Sequence, residues 1–252
     1  MKQFIVILTV MCLFLISSLL TGCGITKSAA AVPSPIPRGI IQFKVCEVGS
    51  NGFVLPCQFD NPVTAGDLIV VVGVGGCNPL LTKNACDSIS DSQINAWHTA
   101  IVVSQYNGIP LWYALNANGG FDTIYFAPNT NWRDIIAEYP PSTGLEGTAS
   151  ASYTDAGLTP AGIEIQDNVG WTRPVETTEP CELLISWTLV GQGTPIAGPY
   201  FAMRAYGVGN SAGLALEDST ANIPGYYMAG MSWRYANAWD EGLAAFRVGG
   251  CK

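Results

Sequence analysis

"AWHTAIVVSQYNGIPLWYAL", Ala96 to Leu115, is the stretch on which the fold class turns. Two runs rich in Val, Ile, Tyr and Trp flank the pair Asn107-Gly108. Asn-Gly tolerates the two positive φ angles of a type I′ turn, whose twist matches that of the strands it joins. The stretch therefore reads as a β-hairpin.

Outward from it, the same grammar continues. "LIVVVGV", Leu68 to Val74, is an unbroken apolar run, the mark of a strand buried on both faces and so central to a sheet. Ile40 to Cys46 and Phe53 to Phe59 read as a second hairpin around "GSNG". Downstream come "DTIYFAP", "WRDIIAEYP", "TASASY", "GIEIQ", "ELLISWTLV", "YFAMRAYG", "GLALEDST", "GYYMAGMSW" and "GLAAFRV". Turn signals punctuate them about every 8 to 12 residues and no run has the helical period, so the expectation is all-β. More finely, residues 40–252 are expected to form one jelly-roll-type, two-sheet antiparallel β-sandwich of about 12 strands.

The first 39 residues follow different rules. Met1 and Lys2 precede an uncharged run, Phe4 to Leu20, which ends at "LTGC". A basic start, an apolar stretch and small residues at a cut site are the layout of an export signal. Leu20, Thr21, Gly22 and Cys23 resemble the lipobox of bacterial lipoproteins. The resemblance implies a signal peptide over 1–22, cleavage before Cys23 and acylation of that cysteine. With Gly24 in the next position, it implies an outer-membrane or cell-surface address. Residues 23–39 then form an Ala-, Ser- and Pro-rich tether with no apolar periodicity. The expected partner at this end is the membrane, through the lipid anchor.

Composition and cysteine count agree with export. Acidic residues outnumber basic ones 19 to 11, which argues against a nucleic-acid partner, whose phosphates need Lys and Arg. Apart from Cys12 in the leader and Cys23, six cysteines remain: Cys46, Cys57, Cys77, Cys86, Cys181 and Cys251. An even number in an oxidising compartment reads as three disulfides. Cys46 with Cys57 and Cys77 with Cys86 bracket short loops, and Cys181 and Cys251 fit neighbouring antiparallel strands; other pairings stay open. One histidine and no C-x-x-C pair make zinc a poor alternative.

Four segments resemble a β-sandwich module that recurs in secreted and cell-surface proteins of soil bacteria. They are "NPVTAGDLIVVVGV", "DSQINAWHTAIV", "LWYALNANGGFDTIYFAP" with "IIAEYPP", and "LALEDST" with "WDEGLAAFRV". The resemblance implies the fold and the surface location; it carries no catalytic residues. His98 and the extra cysteines depart from the module.

For chemistry the residues offer little. A hydrolase triad needs a base, and the only histidine, His98, lies on an expected strand and reads as a surface or half-buried strand residue, while no G-x-S-x-G elbow surrounds a serine. The expectation is a protein that is not an enzyme. Two-carboxylate glycoside hydrolysis or lyase chemistry is the weaker alternative, with Glu138, Glu164, Glu217 and Asp218 the acids to test. No cofactor is required. Structural calcium is the one metal considered, at Asp87 and Asp91 in a loop and Glu217 and Asp218 near a strand end.

Aromatic residues supply the positive signal. Trp97, Trp132, Trp171, Tyr226, Tyr227, Trp233 and Trp239 sit beside polar or turn residues, where rings can stack on the C–H faces of sugars. Trp187, inside "LLISWTLV", reads as core. The function these features favour is a non-catalytic carbohydrate-binding or adhesion module at the cell surface. The competing class is a coat or appendage subunit that self-associates.

Overall fold

The computed structural model describes residues 39–49, 54–73, 89–103, 108–126, 134–152, 169–191, 193–208, 213–233 and 239–249. Strand and turn account for all of their regular structure, and every strand pairing is antiparallel. In the first half lie β1 (Gln42–Val45), β2 (Cys57–Gln58), β3 (Leu68–Val72), β4 (Ile89–Asp91), β5 (Trp97–Val103), β6 (Ile109–Ala114), β7 (Thr123–Phe126) and β8 (Ile135–Tyr139). The second half holds β9 (Ser142–Ser152), β10 (Val175–Thr177), β11 (Glu182–Val190), β12 (Pro195–Ile196), β13 (Ala202–Val208), β14 (Gly213–Ala221), β15 (Gly225–Tyr227), β16 (Ser232–Trp233) and β17 (Trp239–Val248). Among the described residues the strands number 17, several of them two residues long, where about 12 were expected.

The hairpin at Ala96–Leu115 forms: β5 pairs with β6, and Gly108 has φ 57°. The apolar run at Leu68–Val74 gives a central strand, β3, as expected, and β11 is its counterpart in the second large sheet. Every residue of β3 and of β11 is buried, and each is flanked on both sides, β3 by β6 and β8, β11 by β14 and β17. Among the described residues the expected hairpin around "GSNG" does not form as a ladder. Its first arm, β1, pairs with β8, while β2 pairs with β7, and the described parts of the arms are joined by the bridge Val48 to Val54 and by the Leu55 N–H donated to the Glu47 carbonyl. A disulfide, Cys46–Cys57, closes the loop instead. Cys181 is also disulfide-bonded. Cys23, Cys77, Cys86 and Cys251 lie outside the described residues, as does "GIEIQ".

Two five-stranded sheets carry the architecture, β1-β8-β3-β6-β5 and β13-β14-β11-β17-β9. Because side chains alternate across a strand, each sheet has two faces to bury. Leu68, Val70 and Val72 of β3 meet Leu183, Ile185 and Trp187 of β11 in one core shared by both sheets. Ile69 and Val71 point the other way and are covered by the small sheet β2-β7-β4. Leu184, on the opposite face of β11, is covered by the ribbon β10-β15, and a second ribbon, β12-β16, lies alongside. Each of these fully buried aliphatic side chains contributes about 2 kcal/mol from area removed from water.

The two halves repeat one plan. Numbered within its half, each large sheet runs first, fifth, second, fourth, third strand. In both, short strands between the long ones build the outer cover. The third strand bulges at the same place, between Thr99 and Ile101 in β5 and between Met203 and Ala205 in β13. β1 lies beside β13 and β5 beside β9, so the first strand of each half meets the third of the other, as a two-fold axis between them requires. The shared registers match Val72 with Trp187 and Ile135 with Gly242. Volume is exchanged between them: a Cβ on Gly242 would sit 2.3 Å from Trp187 Cζ2, so the large ring opposite requires the glycine.

Candidate functional site

Burial sorts the aromatic candidates. Trp233 and Trp239, expected as exposed platforms, are each only 2% exposed and pack together at 5.7 Å between centroids. Trp233, on the ribbon strand β16, turns inward and packs with Trp239, Val190, Ala215 and Met231, which makes both rings core residues in the same sense as Trp187. Trp171 is half-buried and lies on Gly230, where a Cβ would come within 2.4 Å of its ring. Trp97 is half-buried with its indole N–H donated to Asp91 Oδ2 at 2.6 Å. Tyr227 turns inward and donates its hydroxyl to the Ile223 carbonyl at 2.6 Å. Tyr226, its neighbour, points outward and is 72% exposed. Trp132 lies outside the described residues.

The acids are also redistributed by burial. Glu217 and Asp218, read as paired calcium ligands near a strand end, sit within β14 and face opposite sides. Asp218 points toward the shared core, held by Arg204 at 2.7 Å, with the Tyr139 hydroxyl against it. Glu217 faces the outer cover and accepts the Gly198 N–H at 2.9 Å. The two cannot grip one cation. Asp91 is occupied as a loop cap, accepting the N–H groups of Gln93 and Asn95 at 2.9 and 3.1 Å besides the Trp97 indole. Asp87 lies outside the described residues, and among those described no cluster of three or more potential ligands is set to hold a metal. His98 is exposed on β5, its ring 5.3 Å from that of Tyr113.

A groove of about 340 Å³ opens where β9, β10 and β17 meet in the second half. Gly147 and Thr148 of β9, Val175 and Glu176 of β10, and Thr178 line it, with Glu146 and Arg247 at one end. Glu146 reaches this position because β9 carries an extra residue where its register against β17 shifts, between Ala245 and Phe246. Its Oε1 accepts the Thr178 N–H at 3.0 Å, the Thr178 hydroxyl, and Arg247 Nη2 at 3.4 Å. Burial alone would push the Glu146 carboxyl up, but the hydrogen bonds with Glu182, Thr178 and Arg247 outweigh it and hold it below the ordinary glutamate range. Behind it Glu182 is fully buried. Burial first, then the hydrogen bond with Glu146, push Glu182 up to about 7.

Why the groove lies in this half follows from the repeated plan. By register, Gly147 stands where the first half has Gln42. Gln42 fills that place, accepting the Asn61 N–H and donating to the Asn61 carbonyl, both at 3.1 Å, and reaching Glu138 Oε2 at 2.5 Å. Glycine has no side chain to do the same. On β10 and β15, Glu176 stands directly opposite Tyr226. Directly opposed residues project to the same face, so the exposed Tyr226 ring stands beside Glu176, one strand beyond the residues that line the groove.

Comparison with family models, curated proteins and solved structures finds no match to this chain. The groove was not legible from the aromatic pattern. It is built mostly of small and polar residues, and none of the described aromatic candidates lines it; Tyr226 stands next to it, opposite Glu176.

Proposed function

We propose that this chain is a lipid-anchored cell-surface protein whose domain binds polysaccharide in the groove of its second half, without chemistry of its own. The observation that carries the reading is the exposed Tyr226 ring standing opposite Glu176 on the wall of a polar groove. A flat ring stacks on the C–H face of a sugar while hydroxyls and carboxylates hold its polar edge. Thr178 and Glu176 supply that edge. The volume falls at the small end of ligand sites, roughly 300–1,000 Å³.

The export signal, the lipobox residues Leu20 to Cys23 and the Pro-rich tether support the surface address. The two-carboxylate alternative is weakened by burial: Glu138 and Glu217 are closed to solvent and Asp218 is 2% exposed. For the fold, we propose that jelly-roll character resides in each half. The alternation of successive strands between a large sheet and its small cover supports this.

Retention on a panel of insoluble polysaccharides tests the reading. At least one should retain the protein, and Tyr226→Ala should lose that retention while melting at the wild-type temperature, since exposed substitutions stay within about 0.5 kcal/mol. If nothing on the panel retains the wild type, and the protein instead assembles with rising concentration, the self-associating alternative replaces it.

A further inference from the structure

Resting on the polysaccharide reading of this groove, we propose that its ligand is a glycan with free amino groups, a polymer of amino-bearing pyranose units whose ammonium meets Glu176. The two wall carboxylates differ in what they have left to give. Glu146 is engaged by Thr178 and by the Arg247 guanidinium, so its charge is committed. The Glu176 side chain is exposed and makes no hydrogen bond or ion pair among the described residues. It is the anion this groove offers a ligand.

Geometry sets where the cation belongs. Directly opposed residues of an antiparallel pair have Cβ atoms roughly 5 Å apart. A sugar ring stacked on Tyr226 therefore presents its edge to Glu176. A protonated amine at that edge forms an exposed ion pair; an N-acetyl group, being neutral, does not. A glycan of sugar acids is disfavoured by the same carboxylate and by the formal net charge of −8. The hydroxyl-rich remainder of any sugar finds Thr178, which therefore does not discriminate among glycans.

Calorimetric titration of the full chain with a glucosamine hexamer, its fully N-acetylated counterpart and a galacturonic acid hexamer is the test. The amino form should bind about fivefold more tightly than the N-acetylated form, the factor an exposed ion pair supplies. Glu176→Gln, checked for an unchanged melting temperature, should bring the two to parity, and raised salt should narrow the gap. Equal binding of both forms by the wild type, or a preference untouched by Glu176→Gln, overturns the inference and leaves the polysaccharide reading standing. If no glycan binds the wild type in either this titration or the retention panel, both fall together.

Discussion

Glu217→Gln should stabilise this protein at pH 8 and not at pH 4.5. Glu217 is fully buried on β14, and that burial pushes its carboxyl up to about 7 from an ordinary value near 4.5. Between those two pH values the folded chain keeps a proton that the unfolded chain has released, so stability falls as pH rises through the window. The difference of about 2.5 units corresponds to roughly 3 kcal/mol at pH 8, an upper figure because water reaching the site would lessen it. Glutamine cannot ionise, and its amide oxygen can still accept the Gly198 N–H that Glu217 holds at 2.9 Å. The substitution also relieves Glu241, which is pushed well above the usual range by burial and then by the Glu217 charge. In a domain of this size about 3 kcal/mol corresponds to roughly 6–12 °C in melting temperature. Urea and thermal unfolding followed by tryptophan fluorescence, at both pH values with chelator present, measure it. An equal offset at the two pH values would refute the reasoning. So would a wild type stabilised by calcium at pH 8 through a response that Glu217→Gln abolishes, because the carboxylate would then be a ligand and not a strained acid.

Removing Arg204 should be costlier. Arg204→Met leaves the Asp218 charge buried beside Tyr139 and should lower stability by about 3–5 kcal/mol in urea melts, with Asp218→Asn in the same chain recovering most of it. Replacing Cys46 and Cys57 together by Ala should cost about 2–3 kcal/mol, the chain-entropy expectation for a short loop, and the loss should match that produced by reducing this disulfide selectively. Gly242→Ala should cost about 1–3 kcal/mol by driving a methyl into Trp187. Adding Trp187→Val, which copies the first half's Val72, should return part of that loss; no rescue would argue that the two positions do not share one volume.

What could be read in advance was local. The Asn107-Gly108 hairpin, the unbroken apolar strand at Leu68–Val72 and the Cys46–Cys57 bridge each announce themselves within about twenty residues. Pairings across the chain carry no such signal. Gln42 finds Glu138, 96 residues away, although "GSNG" offers a nearer partner for its strand. The small outer sheets misled the site reading for a related reason. Glu217, on the side of β14 away from the shared core, is closed over by the segment after β12, whose Gly198 N–H it accepts, and Trp233, on the outer ribbon strand β16, turns inward to pack on Trp239. Tyr226, on the outer face of its ribbon, stays exposed. The duplication is hidden from the sequence by exchanges such as Val72 and Ile135 for Trp187 and Gly242, which preserve the packing and erase the likeness.

The repeated plan also explains why so little surface is left for function. Each five-stranded sheet spends one face on the shared core and the other on its own cover, and the first strand of each half is set beside the third strand of the other. Side chains in the ladders are thereby committed to packing, including acids that would otherwise be the natural chemical groups. Asp67 and Glu182 illustrate this. They hold the same position ahead of the central strand in their halves, both are raised to about 7 by burial and then by a neighbouring glutamate, and both are closed to water. The halves diverge where a side chain is withdrawn. Gln42 seals the seam between its large sheet and its cover; Gly147 leaves the matching seam open, and Glu176 and Thr178 face solvent across it. A single missing side chain thus turns a packing seam into a groove, and Gly147→Gln, which restores the plug, should abolish glycan binding while leaving Tyr226 as exposed as before.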